Sequence, residues 1–149
     1  MSLRINKAVW AIRSIFFVCG LALSSWAPMV PFAKARLNLD DASLGMLLLL
    51  LGTGAIIMMP ISGYLSQKFG NRTIIAISAI VIALVLPLLA FFDGILLMSF
   101  SILLFGAGIG TIDVAMNAFG IHLQNIYGKP IMSSLHGLFS VGGLSAPWD

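Results

Sequence analysis

Glutamate is absent from this chain, and charged side chains of any kind are scarce. Only 9% of the 149 residues are charged, against 60% that are hydrophobic, whereas a soluble domain carries about 25% charged residues. So few charges cannot cover the surface of a soluble globule, and a disordered chain would need the opposite composition. The single cysteine, Cys19, excludes a disulfide framework and a multi-cysteine metal site. The composition therefore indicates an integral membrane protein.

Catalytic and nucleic-acid-binding patterns are also missing from the sequence. It contains no HExxH or CxxC motif, no phosphate-binding loop and no Ser-His-Asp order. Its basic residues are scattered singly between apolar runs, which is not the footprint of a nucleic-acid-binding protein. We therefore expect no enzyme activity, no cofactor, no metal site and no nucleic-acid partner.

Five apolar stretches have the length of about 20 residues that a helix needs to cross a bilayer. They lack the alternation of apolar and polar residues that a β-barrel strand requires. We expect an all-α integral membrane protein, a single domain over 1–149, with about five transmembrane helices. The predicted spans cover residues 8–33, 42–67, 73–92, 94–121 and 130–148.

The placement of Lys and Arg predicts the orientation of these spans. With the N-terminus in the cytoplasm, the outer segments hold Lys34 and Arg36, in a loop that also carries acids, together with Asp93. The cytoplasmic segments then collect five cations, which favours this orientation: Arg4, Lys7, Lys68, Arg72 and Lys129. The first span could also be read as a signal peptide, but its apolar run is too long for one, and four more spans follow. We therefore expect it to be an uncleaved span.

Small residues and prolines predict how the helices pack. In lipid, close backbone approach through small residues supplies much of the contact between helices, and we interpret the glycines of the second, fourth and fifth spans in this way. Pro87 is expected to kink the third span, because proline removes a helix hydrogen bond. The pair Met58-Met59 is interpreted as lipid-facing or core filler. The packing glycines and serine are Gly45, Gly52, Gly54, Gly106, Gly108, Gly110, Ser133, Gly137, Gly142 and Gly143.

Asp113 is the ionisable residue that lies deepest in an apolar stretch. A charge near the middle of a membrane costs roughly 2.5–3.5 kcal/mol on insertion scales, so it usually faces a cavity or a partner. Asn117 lies four residues further on and shares its helix face. The pair predicts a site that binds and releases a proton or binds a hydroxyl-bearing solute. The alternative is a structural Asp113 bonded to Asn117 or to a neighbouring helix.

Two other intramembrane residues are candidates for the same site. Arg13 lies early in the first span, where it could snorkel to the headgroups or act as a counter-charge for Asp113. His136 lies inside the fifth span and could relay protons, contact a solute or bond across helices. Gln124 and Asn125 are interpreted as loop residues between the fourth and fifth spans.

The segment between the second and third spans carries a more specific signal. It reads Gly63-Tyr-Leu-Ser-Gln67-Lys68-Phe-Gly70-Asn71-Arg72, which resembles the signature loop Gly-x-x-x-Asp-Arg-x-Gly-x-Arg of the major facilitator superfamily. Gly63, Lys68, Gly70 and Arg72 match in type, whereas Gln67 stands where the family has its acid. Two further stretches strengthen the resemblance: one is Ser25-Trp26-Ala27-Pro28, and the other is Asp113 to Asn117 followed by Leu135 to Gly143. They resemble bacterial inner-membrane facilitators related to fucose-type sugar/proton symporters.

This resemblance implies a secondary transporter in the bacterial inner membrane. In the family, two six-helix halves rock about a central site, and the first and fourth helices of the first half line it. The resemblance implies a proton-coupling role for Asp113, and the first span departs from the family pattern because it offers no acid. The implied partners are the lipid bilayer, a small solute of sugar-like type and protons.

The length leads to a further expectation. Five spans are fewer than a complete facilitator has, so we expect a truncated fragment of an N-terminal half that lacks its C-terminal helices, or that self-associates. Two other functions remain open. One is a small dimeric multidrug exporter, although such exporters use a membrane-embedded Glu that this chain lacks. The other is a membrane subunit or assembly partner that does not itself transport.

Overall fold

Residues 2–145 form an all-α bundle in the computed structural model, which describes this part of the chain and its side chains from residue 4 onward. No strand occurs among the described residues, as the apolar runs predicted. Six helices follow one another with short connections: α1 Ser2–Trp26, α2 Met29–Arg36, α3 Asp41–Phe69, α4 Asn71–Phe91, α5 Ile95–Tyr127 and α6 Met132–Leu144.

Four segments of the described chain are long and apolar enough to cross a membrane. They are Arg4–Arg36, Asp41–Phe69, Asn71–Phe91 and Ile95–Tyr127, and each overlaps one of the first four predicted spans. The first is made of α1 and α2, which are separated by a turn at Ala27-Pro28, because proline has no N–H with which to continue the helix. The fifth predicted span corresponds to α6, and residues 146–148 of that prediction lie outside the described residues.

The turns between α3 and α4 and after α5 depend on glycine. Gly70 connects α3 to α4 with a φ of 84°, and Gly128 follows α5 with a φ of 70°. Residues with a side chain rarely adopt this left-handed region, so glycine is the residue that such tight turns require. Asp40 is the N-cap of α3, and its carboxylate accepts a hydrogen bond from the Ser43 amide at 2.8 Å. Hydrogen bonds from Ser43 hold the pKa of the Asp40 carboxyl below its ordinary value.

The end of α5 differs from the prediction for this region. The helix continues to Tyr127 instead of stopping near residue 121, so Gln124 and Asn125 are helical and the interpretation of them as loop residues was wrong. The Gln124 side-chain oxygen accepts hydrogen bonds from the amides of Ile131 and Met132, at 2.9 and 3.2 Å. Because the first amides of a helix have no partner within it, Gln124 caps the beginning of α6 from the neighbouring helix.

Close glycine contacts hold α5 against α3. A side chain at Gly54 would overlap the backbone of Leu103, one at Gly106 the backbone of Leu51, and one at Gly110 the backbone of Ala55. The helices α1 and α6 meet in the same way, through Gly20 and Gly142. Backbone approach through small residues is therefore the packing mode of both pairs. Four of the predicted packing glycines face open space among the described residues, and for these the predicted packing role is wrong: Gly45, Gly52, Gly137 and Gly143.

Large apolar side chains cover much of the outer surface of the bundle. Trp10, Phe91 and Leu96 are 67%, 75% and 82% exposed. A soluble monomer rarely displays so much contiguous apolar surface, whereas a bilayer accepts it. Meanwhile α5, which contacts α3, α4 and α1, has the longest series of buried residues and forms the centre of the bundle.

Candidate functional site

Asp113 lies half-buried on α5, the central helix, and lines a cavity of about 260 Å³ that α1, α3 and α6 also border. Among the described residues that line this cavity, Asp113 is the only one with a charged side chain. The remaining lining is apolar or weakly polar and includes Cys19, Leu23, Met59, Ile109, Met116 and Phe139. The helical register explains part of this arrangement, since Ile109 and Met116 are one turn from Asp113 on the same face. We refer to this space as the Asp113 cavity.

Asn117 orients the Asp113 carboxylate. The Asn117 side-chain amide donates to the Asp113 backbone oxygen at 2.9 Å and to its carboxylate Oδ1 at 3.1 Å. This is the i to i+4 pairing that the sequence predicted, and it also fits the structural alternative. Carboxylate Oδ2 has no hydrogen-bond partner among the described residues. One oxygen is therefore held in place by the helix itself, and the other can accept a proton or a hydroxyl group.

No cation neutralises Asp113 within the described part of the chain. The two ion pairs found there, Lys34–Asp41 and Arg36–Asp93, lie elsewhere. Arg13 does not reach the Asp113 cavity: its guanidinium is 3.5 Å from the Ser134 hydroxyl of α6 and 5.2 Å from the centroid of the Trp10 ring. The structure therefore does not place Arg13 beside Asp113, as the counter-charge hypothesis requires.

His136 lies on the exposed face of α6 and is not part of the cavity lining. Its ring meets the ring of Phe16 on α1 edge to face, with centroids 5.5 Å apart and planes at 83°, a favourable geometry for aromatic pairs. Since α1 and α6 meet through glycines, this contact is part of their packing. The side chain that α6 contributes to the cavity is Phe139, one turn further along.

The signature-like loop lies at the end of the bundle where α3 ends and α4 begins. Gly63 faces open space among the described residues, and Gly70 makes the tight turn. The guanidinium of Arg72 is 5.3 Å from the centroid of the Phe119 ring on α5, and the Lys68 ammonium is 5.3 Å from the Phe69 ring. Gln67 is exposed and makes no hydrogen bond or ion pair within the described chain.

Sequence reasoning missed the side chains that other helices contribute to the cavity, among them Cys19, Met59 and Phe139. Cys19 was used only to exclude a disulfide framework and a multi-cysteine metal site, Met59 was read as lipid-facing or core filler, and Phe139 was not singled out. Helical spacing finds the neighbours of Asp113 on its own helix, but these three come from α1, α3 and α6, and no local signal connects them to α5. Among the described residues no group of three His, Cys, Asp or Glu side chains could hold a metal ion.

The chemistry available to the cavity is limited and specific. A carboxylate oxygen without a partner can take up a proton or accept a hydrogen bond from a solute, while Phe139 and the two methionines pack against apolar surface. A polar group held at membrane depth in an apolar cavity is the usual form of a solute or ion site in a membrane protein.

Comparison with known proteins agrees with this architecture. The family described as Major Facilitator Superfamily matches residues 1–147. The chain is 48% identical over 132 residues to an uncharacterized MFS-type transporter of Yersinia pestis, and 36% identical over 137 residues to the membrane protein MosC of Rhizobium meliloti. It is 25% identical over 132 residues to the mouse sodium-dependent glucose transporter 1A.

These alignments cover 89%, 92% and 89% of the chain but 34%, 34% and 31% of the respective relatives. The chain thus spans about a third of the length of the curated relatives it matches. No solved structure matches it. Carriers of this family are not enzymes, which confirms the prediction of a non-enzymatic protein. The all-α membrane fold, the signature-like loop and the match over nearly every residue lead to one conclusion: the chain belongs to the Major Facilitator Superfamily.

Proposed function

We propose that this chain forms part of a secondary transporter that moves a small solute across the bacterial inner membrane by alternating access. One observation carries the proposal: a half-buried carboxylate without an ion-pair partner in the described chain lines a cavity bordered by four helices. Ionisable residues inside membrane segments are rare and usually face a cavity or a partner, which makes each of them a candidate functional site. Transporters of this kind bind their solute near the midplane, between helical repeats, and Asp113 lies in the middle of a span.

Proton coupling is the proposed role of Asp113. Its Oδ1 is fixed by Asn117, whereas Oδ2 has no partner among the described residues, so a proton can bind without breaking the existing hydrogen bond. Binding and release of this proton during the transport cycle would tie proton movement to solute movement.

A sugar-like solute fits the lining of the cavity. The carboxylate can accept a hydrogen bond from a hydroxyl group, and the Phe139 ring can pack against the apolar face of a sugar ring. The resemblance to fucose-type symporters and the name of the mouse relative, a glucose transporter, support the same class of solute. Further polar contacts would come from parts of a carrier that lie opposite this cavity.

Uptake by proteoliposomes tests this function. The full product of the gene is reconstituted and offered a panel of radiolabelled monosaccharides and polyols, with and without an inward proton gradient. We expect saturable uptake of at least one solute that the gradient accelerates. If a solute accumulates equally with and without the gradient, the coupling proposal fails, and if none accumulates, the sugar-like class fails.

The 149-residue chain reconstituted alone tests the alternatives. Alternating access needs a second bundle against which the first can rock, and the relatives are about three times as long as the matched segment. We therefore propose that the isolated chain is a fragment and gives no uptake above empty vesicles. Saturable, gradient-driven uptake by this chain alone would instead support a small dimeric exporter or carrier. Binding to a second membrane protein without any uptake would support an assembly subunit.

A further inference from the structure

Three side chains that contain sulfur line the Asp113 cavity together with the carboxylate. They are Cys19 of α1, Met59 of α3 and Met116 of α5. Cys19 and Met116 are buried, with 6% and 2% of their surface exposed, whereas Met59 is 38% exposed. We refer to these three side chains as the sulfur cluster. The helices that carry them all belong to the described chain, so the cluster does not depend on any further segment.

The close packing of α3 against α5 explains why two of these sulfur atoms lie beside the carboxylate. Gly110 of α5 meets the backbone of Ala55 of α3, and the two helices run in the same direction. Met59 lies one turn after Ala55, and Asp113 lies about one turn after Gly110, so both come to the same level of the bundle. Met116 is three residues after Asp113 and shares its helix face. The cluster therefore follows from the glycine contact and the helical register.

Thiolate and thioether sulfur atoms are soft metal ligands, which select Cu(I) and similar ions. Methionine suits such a site because its rotatable bonds allow the sulfur atom to turn toward a common centre. The Asp113 carboxylate supplies the negative charge that a cation needs in apolar surroundings. Hard ions such as Ca²⁺ require six to eight oxygen ligands, and this lining provides one carboxylate. The cavity thus has the ligands and the counter-charge of a site for a soft monovalent metal ion.

We propose that the sulfur cluster binds one soft monovalent metal ion of the Cu(I) type. On binding, the Cys19 thiol loses its proton and a bond forms between its sulfur and the metal ion, while the two thioethers donate lone pairs. The proton passes to the Asp113 oxygen that has no hydrogen-bond partner among the described residues. The oxidation state of the ion does not change. This site goes beyond the proposed transport function, since binding needs neither a solute nor a proton gradient.

Titration of the purified full gene product with Ag(I) provides the test. Ag(I) is the probe because it shares the soft ligand preference of Cu(I) and is stable in air, and calorimetry in a detergent buffer free of chloride measures its binding. Cys19→Ala/Met59→Leu/Met116→Leu should lose one high-affinity Ag(I) site, with binding weakened by at least about tenfold, since changes outside the ligand shell already cost that much. The matched control is Met58→Leu/Met98→Leu, which removes two thioethers that do not line the cavity. This control should bind like the unaltered protein.

A single substitution and a spectroscopic measurement separate loss of the site from loss of the fold. Met116→Leu conserves volume and should keep the thermal stability of the protein, yet it should weaken Ag(I) binding as well. X-ray absorption at the silver edge should show sulfur neighbours in the unaltered protein that the triple variant loses. Unchanged affinity in both the triple variant and Met116→Leu would overturn the proposal, as would equal losses in the control or a silver spectrum without sulfur neighbours. None of these measurements involves solute uptake, so the proposed transport function stands or fails by its own test.

Discussion

The charged side chains at the two ends of the bundle have different partners. At one end, Lys34 lies 2.5 Å from the Asp41 carboxylate, and the Arg36 Nε lies 3.4 Å from the Asp93 carboxylate. We refer to this as the paired end. At the other end, Lys68, Arg72 and Lys129 lie over aromatic rings, and no ion pair forms there among the described residues. We refer to this as the unpaired end.

Arg36 shows what pairing contributes to the fold. Besides approaching Asp93, its guanidinium donates to the carbonyl oxygen of Leu89 at 2.8 Å and to that of Ala90. These carbonyls belong to the last turn of α4, where no helical amide remains to bond them, and the cation also complements the negative end of the helix dipole. No described cation at the unpaired end makes a comparable cap. One end therefore uses its cations to stabilise helix ends, whereas the described cations of the other end contact aromatic rings.

The two ends should lie on opposite sides of the membrane. Lys and Arg near the ends of spans favour the cytoplasmic side, and the end that holds the N-terminus has more of them than the paired end, so the unpaired end should lie in the cytoplasm together with the N-terminus. Alkaline phosphatase fused after Asp93 should be active and fused after Lys68 inactive, because the enzyme matures only outside the cytoplasm. The reverse pattern would contradict the proposed orientation.

Close packing of α3 against α5 in the interior of the bundle should make the next largest contribution. Gly106→Ala places a methyl group against the Leu51 backbone of α3, which should force α3 and α5 apart and destabilise the protein by about 3 kcal/mol. Gly52→Ala is the matched control, since no described atom lies within 4 Å of the added carbon. Unfolding in mixed micelles measures both. Equal losses in the two variants would show that helix propensity, and not close packing, decides the effect.

Removal of one cation from each end should destabilise the protein to different degrees. Arg36→Gln should lower the free energy of unfolding by about 2 kcal/mol, since it leaves carbonyls of α4 without their charged donor. Arg72→Gln removes a contact with an aromatic ring and should cost less than about 1 kcal/mol. The same unfolding assay compares them. A cost for Arg72→Gln that matches or exceeds that of Arg36→Gln would remove the distinction between the ends.

The smallest predicted effect is a pH dependence at the paired end. Because hydrogen bonds from Ser43 lower the pKa of Asp40 in the folded state, its ionised form contributes stability at pH values above the pKa of the unfolded chain. That contribution is lost as the pH falls through the folded pKa, below about pH 4. Asp40→Asn retains a residue that caps helices but cannot titrate. Unfolding measured between pH 6 and pH 3 should therefore decline less in this variant, and parallel declines would argue against the effect.

The sequence predicted the parts of the fold that depend on local pattern. Long apolar runs specify four spans, and the i to i+4 spacing specifies the contact between Asp113 and Asn117. What could not be predicted depends on contacts between distant segments. The bond between Arg36 and the end of α4 joins residues more than fifty positions apart, and the cap that Gln124 provides for α6 contradicted a reading of Gln124 as a loop residue.

The glycines illustrate the same limit at the level of packing. Gly52 and Gly54 lie two positions apart in one apolar run, yet only Gly54 meets the backbone of α5. Which glycine is in contact depends on the rotation of α3 about its axis, and a run of apolar residues on all sides carries little information about that rotation. The same holds for Cys19, Met59 and Phe139, whose place in the Asp113 cavity follows from the rotation of three different helices.

Solute-driven proton movement measures whether Asp113 couples protons to the transported solute. Proteoliposomes that contain the full gene product and a trapped pH-sensitive dye are given the transported solute, and the internal pH is followed. We expect acidification with the unaltered protein and with Asp93→Asn, a control that removes a carboxylate from the paired end. Asp113→Asn should abolish acidification while inserting normally into the membrane. Undiminished acidification by Asp113→Asn would contradict the account and reduce Asp113 to a structural partner of Asn117.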